Sequence, residues 1–247
     1  MKTMRINKFF TEHGCCSRRA ADRLIEEGRV TINGRKAVLG DQVADGDVVS
    51  VDGRVLDRDD ATVYLAYHKP VGVTCTTEPD VAGNIVEAVG YRQRIFPVGR
   101  LDKDSSGLIL LTNNGDIVNR ILRAEFGHER EYLVTLNRPY SPAFLKHLQQ
   151  GVLVQGKNTA PCRAVPVDAS SFRIILTEGR NRQIRRMCSA LGFRVVRLVR
   201  IRIMHIMLGK LPIGEWRHLS VQERDKLLVA VGMTEDGSRL DEQSCTA

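Results

Sequence analysis

The sequence predicts an α+β protein in two parts: a small unit of two helices on a short β-ribbon, then a larger unit built on a mixed or antiparallel sheet. Three observations carry this. Within the first sixty residues, helical spacing gives way to two tight hairpin signals. The charge reverses over the same stretch, from a net of +5 over residues 1–38 to −5 over 39–60. Beyond it, short apolar runs outnumber helical segments, and the helices are not regularly interleaved with the strands, which disfavours a doubly wound parallel sheet.

The elements follow in order. Apolar spacing from Met4 to His13 predicts a first helix, stopped by Gly14, and Ser17 can cap a second that runs through Glu27 and closes at Gly28. Val30-Thr31-Ile32 leads into Asn33-Gly34, and Val48 to Val51 meets Asp52-Gly53; both dipeptides suit type I′ turns. Leu56 to Asp60 is polar and acidic and reads as a linker. Strands are then expected at Tyr64–Tyr67, Leu108–Leu111, Tyr132–Leu136, Phe172–Leu176 and Val195–Leu198, and helices at Asp116–Ala124, Ser141–Gln150, Arg182–Leu191 and Val221–Val231. The organisation is therefore residues 1–58, residues 59–235 and a polar tail, 236–247. Trp216, Met204 and Met207 are expected in the core.

Composition narrows the class. The 247 residues are 43% hydrophobic with a net charge of +8, enough apolar content to offset chain entropy. No apolar run approaches the roughly 20 residues of a membrane span, and Met1 to Thr11 is basic and polar, so a cytoplasmic protein is expected. The six cysteines show no Cys-x-x-Cys pair and no zinc-ligand spacing, as expected of free thiols in a reducing compartment. Residues 171–218 hold eleven Lys or Arg against two Glu. With the basic first segment, this makes two cationic zones suited to a phosphate backbone.

The segment with most chemistry is Gly99-Arg100-Leu101-Asp102-Lys103-Asp104-Ser105-Ser106-Gly107, a polar loop between an apolar strand ending at Val98 and another beginning after Gly107. Asp102-x-Asp104 lacks a third carboxylate nearby, and Arg100 and Lys103 oppose a cation, so no metal is expected. A carboxylate between bases stays ionised at neutral pH, as nucleophilic catalysis requires.

This loop resembles the signature of the pseudouridine synthases, in which an Arg-Leu-Asp tripeptide precedes Gly-Leu, three apolar residues and Thr. Further segments stand in the family order: His68-Lys69-Pro70-Val71-Gly72, Glu131-Tyr132-Leu133-Val134, and Glu178-Gly179-Arg180-Asn181-Arg182-Gln183-Ile184-Arg185-Arg186-Met187. The first sixty residues, with Ser17-Arg18-Arg19 opening the second helix and Val30 to Gly34 following it, resemble the S4 RNA-binding domain. Together they resemble the branch acting on ribosomal RNA, and the Asn181 to Cys188 run and Leu211 to Leu219 its large-subunit type. His68 stands where Asn or Tyr is common, and Arg130 where Lys is.

The resemblance implies isomerisation of uridine to pseudouridine in ribosomal RNA, with Asp102 as nucleophile, Tyr132 stacked on the target uracil and Arg185 paired with the aspartate. It implies no metal or organic cofactor, because the N-glycosidic bond is broken and a carbon bond re-formed without redox change. Arg100, Arg18, Arg19, Arg23, Arg35, Lys36, Lys69, Arg180, Arg182 and Arg186 are the expected RNA contacts. The expected partner is ribosomal RNA or a pre-ribosomal particle, with the protein a monomer. The same chemistry on small-subunit ribosomal RNA or a transfer RNA, and a non-catalytic ribosome-assembly factor, are the rival readings.

Overall fold

The computed structural model describes residues 3–56, 62–122 and 127–234. Residues 57–60 of the expected linker, the last two residues of the helix expected to reach Ala124, and the expected tail lie outside them. The chain forms two compact units. One takes the chain up to Val63 with Tyr91–Ile95 and Thr112–Gly115; the other takes Tyr64–Gly90, Phe96–Leu111 and the chain from Asp116.

In the first unit, β1 (Thr3–Arg5) precedes α1 (Ile6–Glu12) and α2 (Arg18–Glu26). Met4 and Arg5 are thus strand, not helix, because Met4 pairs with Val43 on a strand that local spacing does not announce, β4 (Gln42–Ala44). The second helix starts as expected, with the Ser17 hydroxyl accepting from the Ala20 amide. A four-stranded sheet holds β2 (Val30–Ile32), β3 (Arg35–Lys36), β5 (Val49–Val51) and β6 (Arg54–Val55) in the order β3-β2-β5-β6. Both hairpins turn on paired left-handed residues, Asn33-Gly34 and Asp52-Gly53, the backbone that type I′ turns demand. Ile6, Phe10, Ala21, Ile25, Val30 and Val49 close a small core.

The second unit is a nine-stranded mixed sheet with helices. In chain order it has β7 (Tyr64–Lys69), α3 (Ile85–Val89), β8 (Phe96–Val98), β9 (Ser106–Thr112), α4 (Gly115–Leu122) and β10 (Arg130–Leu136). Then come α5 (Pro142–Gln150), β11 (Leu153–Val154), β12 (Lys157–Asn158), β13 (Arg163–Pro166), β14 (Ser171–Leu176) and α6 (Gln183–Ala190). The remainder is β15 (Val195–Ile203), β16 (Ile206–Met207), β17 (Trp216–His218) and α7 (Val221–Ala230). The strand order is β13-β14-β10-β15-β9-β7-β17; the pairs β13–β14, β14–β10, β10–β15 and β7–β17 are antiparallel, and β15 runs parallel to β9 over two residue pairs. Two cores form. One gathers Leu108, Leu110, Ile117, Ile121, Val199, Leu227 and Leu228 around α4 and α7; the other gathers Val134, Phe144, Leu148, Phe172, Ile174 and Met187 around α5 and α6.

Met207 is not in a core. It is 48% exposed, because strand alternation on the two-residue β16 turns Ile206 inward and Met207 out. Trp216 is half-buried, its indole N–H donating to the Val89 carbonyl at 3.1 Å, and Met204 packs partly against the α4/α7 core.

Candidate active site

The loop between β8 and β9 is anchored by buried residues that alternate with outward ones. Leu101 and Ser105 are buried, while Arg100, Lys103 and Asp104 are exposed and Asp102 lies between, its side chain 29% accessible. A turn closes from the Ser105 amide to the Asp102 carbonyl at 3.0 Å, and the Gly72 amide reaches the Lys103 carbonyl at 2.8 Å. Gly107 then lets the chain rise into β9. Its φ is +113°, and a side chain there would overlap the Arg200 carbonyl oxygen, so no other residue fits.

Above the loop lies the start of α6, shaped by a partly buried carboxylate network. Glu178 accepts from the Ala160 amide at 3.0 Å and the Gln183 side chain at 2.6 Å, while Gln183 accepts from the Arg180 amide at 3.0 Å. The turn so formed puts Arg182 in the left-handed region, φ +52°, at the helix cap. From there its guanidinium takes both Asp104 oxygens, at 3.0 and 2.8 Å, and lies 3.7 Å from Asp102. The bidentate contact holds the Asp104 carboxyl below the usual carboxylate range.

The expected pairing of Arg185 with Asp102 is not formed. Arg185, one turn into α6, donates to the Asp104 carbonyl at 2.8 Å and the Ser105 hydroxyl at 3.1 Å, with Nε 3.4 Å from the Asp104 carboxylate. The cation in ion-pair range of Asp102 is Arg182, because the left-handed cap swings that residue over the loop and seats Arg185 against its backbone. Arg182, expected as an RNA contact, is therefore engaged within the protein.

Lys69 is the second correction. It was expected to face RNA, yet it is fully buried, its ammonium donating to the Pro70 carbonyl at 2.7 Å and the Ser105 carbonyl at 2.9 Å. The cause is its place as the last residue of β7, a strand buried along nearly its whole length. Burial pushes its pKa down.

Tyr132 sits on β10, half-buried against the α5/α6 core. It pairs with Arg200 on β15, and Arg200 with Gly107 on β9. One register row thus runs from the tyrosine to the end of the Asp102 loop, about 10 Å across two strand spacings. Arg200 and Glu131 were not anticipated. Glu131 is buried and accepts from Arg202 at 2.8 Å and Arg173 at 3.4 Å. In the sequence each stands among other charged residues of its strand, Glu131 beside Arg130 and Arg200 between Arg197 and Arg202, with no spacing to set it apart from surface residues.

The other expected RNA contacts divide. Arg35 binds Asp41, Arg180 binds Glu178 and the Asn158 carbonyl, and Arg186 binds Asn181. Arg18, Arg19 and Arg23 are exposed on α2, and Lys36 on β3. Among the described residues, the charged groups of Arg18, Arg23, Lys36 and Arg100 have no partner within the protein. No described helix is long and apolar enough to cross a membrane.

Comparison with known proteins adds independent findings. Residues 63–190 match the family described as RNA pseudouridylate synthase, and residues 4–49 match the S4 domain. The chain is 51% identical over 221 residues to the dual-specificity RNA pseudouridine synthase RluF of Salmonella typhi, covering 89% of this chain and 76% of that one. It is 34% identical over 232 residues to the ribosomal large subunit pseudouridine synthase B of Bacillus subtilis, covering 90% and 95%. A crystal structure of a pseudouridylate synthase superposes with a TM-score of 0.67 at 31% identity, covering 91% of this chain and 99% of that one.

Proposed function

Because the chain belongs to the RNA pseudouridylate synthase family and carries an S4 domain ahead of the catalytic part, we propose that it converts uridine to pseudouridine in large-subunit ribosomal RNA, with Asp102 as the catalytic carboxylate. The observation that carries the assignment is Asp102 itself: a partly exposed carboxylate between buried anchors with a guanidinium in ion-pair range, in the loop that leads into Gly107, which shares a register row with Arg200 and Tyr132. The B. subtilis relative, named for the large ribosomal subunit, supports the target.

The reaction breaks the bond between uracil N1 and ribose C1′, turns the base, forms a bond from C5 to C1′, moves the C5 proton off and leaves N1 protonated. Nothing is oxidised or reduced. The Asp102 carboxylate promotes the first cleavage, acting on the sugar or the base. Tyr132 offers a flat face for the detached base and a hydroxyl within the same site for the C5 proton. Arg182 and Arg185 hold the loop that presents the carboxylate. The chemistry calls for no metal or organic cofactor. Residues 1–58 are the RNA-holding part and 59–235 the catalytic part, with Arg18, Arg23 and Lys36, which have no partner among the described residues, as phosphate contacts. The free thiols of Cys15, Cys16, Cys75, Cys162 and Cys188 support action in the cytoplasm.

Mapping pseudouridine in total RNA from cells lacking the protein tests this. A large-subunit site should vanish, return with the parent gene and stay absent with Asp102→Asn. A loss confined to small-subunit or transfer RNA would move the target, and no loss at all, or full restoration by Asp102→Asn, would overturn the proposal.

A further inference from the structure

Arg200 is 3% exposed, in the middle of the sheet, and none of its bonds goes to a carboxylate. Its Nε donates to the Leu108 carbonyl at 2.7 Å and its Nη1 to the Arg100 carbonyl at 3.4 Å. These two carbonyls flank the Asp102 loop in the sequence, Arg100 two residues before Asp102 and Leu108 near the start of strand β9 beyond it, so one planar guanidinium spans the loop. Its Nη2 is buried without an acceptor.

A guanidinium placed for stability alone makes little sense here. Burying an ion costs free energy that carbonyl dipoles offset only in part, and an apolar side chain of similar volume is often at least as stabilising. Stranding one donor of the fork adds to the cost. The backbone shows the same convergence independently, since Gly107, the residue that ends the loop, packs so closely on Arg200 that a Cβ there would overlap the Arg200 carbonyl. From the other side of β9, Lys69 holds the Ser105 carbonyl at 2.9 Å. The strands on either side of β9 thus each send one buried cation to the backbone of the loop.

Resting on the assignment of Asp102 above, we propose that Arg200 is a positioning residue for the isomerisation: its two-point hold on Arg100 and Leu108 fixes the ends of the loop, so that the Asp102 carboxylate meets the target uridine in reacting geometry. It touches neither substrate nor reacting atoms. A lysine keeps the charge but not the planar fork, so its shorter, freely rotating ammonium cannot hold the Leu108 and Arg100 carbonyls in the fixed geometry of the guanidinium. An error of about 1 Å at a reacting group is enough to cost roughly a hundredfold in rate.

The test uses the full-length protein with a stem-loop RNA carrying the target uridine, measuring the single-turnover rate at saturating RNA and, separately, the affinity and binding-competent fraction by mobility shift. Arg200→Lys and Arg200→Gln should keep RNA affinity within about threefold and lose about a hundredfold in rate per binding-competent molecule. A rate for Arg200→Lys within threefold of the parent would show that a point charge suffices and overturn the proposal. So would a fall in affinity matching the fall in rate, or loss of the native circular dichroism spectrum in Arg200→Lys, since the role would then be in RNA binding or in the fold as a whole. Asp102→Asn, assayed alongside, separates the two inferences. If it still turns over, the catalytic assignment fails first; if it is inactive while Arg200→Lys is unimpaired, this inference alone fails.

Discussion

Arg100 lies two residues before Asp102, exposed and without a side-chain partner among the described residues, in a loop whose other neighbours are committed: Arg182 and Arg185 to Asp104, Lys69 to Ser105. A uridine in a helix hides its glycosidic bond and C5, and turning it out costs a few kcal/mol, least in unpaired RNA. A planar guanidinium two residues from Asp102, the carboxylate proposed to be catalytic, can fill the space the base leaves. Arg100→Ala should therefore slow single-turnover isomerisation about tenfold more on a stem-loop than on an unstructured strand of the same sequence; equal slowing on both would place Arg100 outside base extrusion. At this scale the sequence marks the loop of Asp102, Asp104 and Ser105 through its motif and is silent where direction decides. Lys69 and Arg100 are both cations beside the site, and only strand burial separates them. Arg182 and Arg185 are one turn apart, and their division of labour depends on a left-handed cap that no local pattern in Asn-Arg-Gln announces.

α7 opens with Ser220, whose hydroxyl accepts from the Glu223 amide at 3.2 Å while the Glu223 carboxylate accepts from the Ser220 amide at 2.9 Å, a reciprocal cap readable as Ser-x-x-Glu. What is not readable is that Arg217 of β17 also grips both oxygens of Glu223, at 2.6 and 2.7 Å. That bidentate bond, ahead of the Ser220 contacts, holds the Glu223 carboxyl below its ordinary range. A carboxyl depressed in the folded state adds stability above its unfolded pKa of about 4.3 and loses it as pH falls through the lower folded value. Urea unfolding should find Glu223→Gln about 1 kcal/mol less stable than the parent at pH 7, with the gap closing as pH falls through the lowered folded value and the parent's own glutamate protonates. A gap that persists at low pH would mean the loss comes from packing rather than charge. Elements with a capping residue or a long apolar period were legible in this way: α2, α5, α7, β9, β10 and β15. Of the shorter elements, β2 and β5 are announced by the hairpin turns beside them, whereas α3, β13, β16 and β17 are too short to show a period and owe their conformation to a partner elsewhere. β1 shows the same cause in reverse, its Met4 sharing an apolar spacing with the helix that follows while its bonds go to β4.

At the scale of the whole chain, two parts were legible because charge and hairpin signals change together near residue 40, whereas strand order was not, because β7 pairs with β17 across most of the second unit. That order divides the sheet unequally along the sequence. The stretch from Arg130 to Ile203 is continuous and supplies β10, β13, β14 and β15 with α5 and α6, so it closes four strands and a core from its own residues. The remaining strands come from two separated segments, and only the parallel step of two residue pairs at Val199–Ser106 and Arg200–Gly107 joins their β9 to β15. Closing a long loop costs chain entropy before any contact repays it, so the continuous stretch should order first and the β7–β17 ladder last. The single tryptophan, Trp216, lies on that last ladder opposite Tyr67 and reports its formation without any engineered label. In refolding from denaturant, pulsed amide exchange should show β10, β14 and β15 protected before the tryptophan emission reaches its native value; emission that recovers first would reverse the order. The Asp102 loop, lying where the late segment meets the early one, is then assembled only in the final folding step, and catalytic competence should appear with the tryptophan signal rather than with the bulk of the secondary structure.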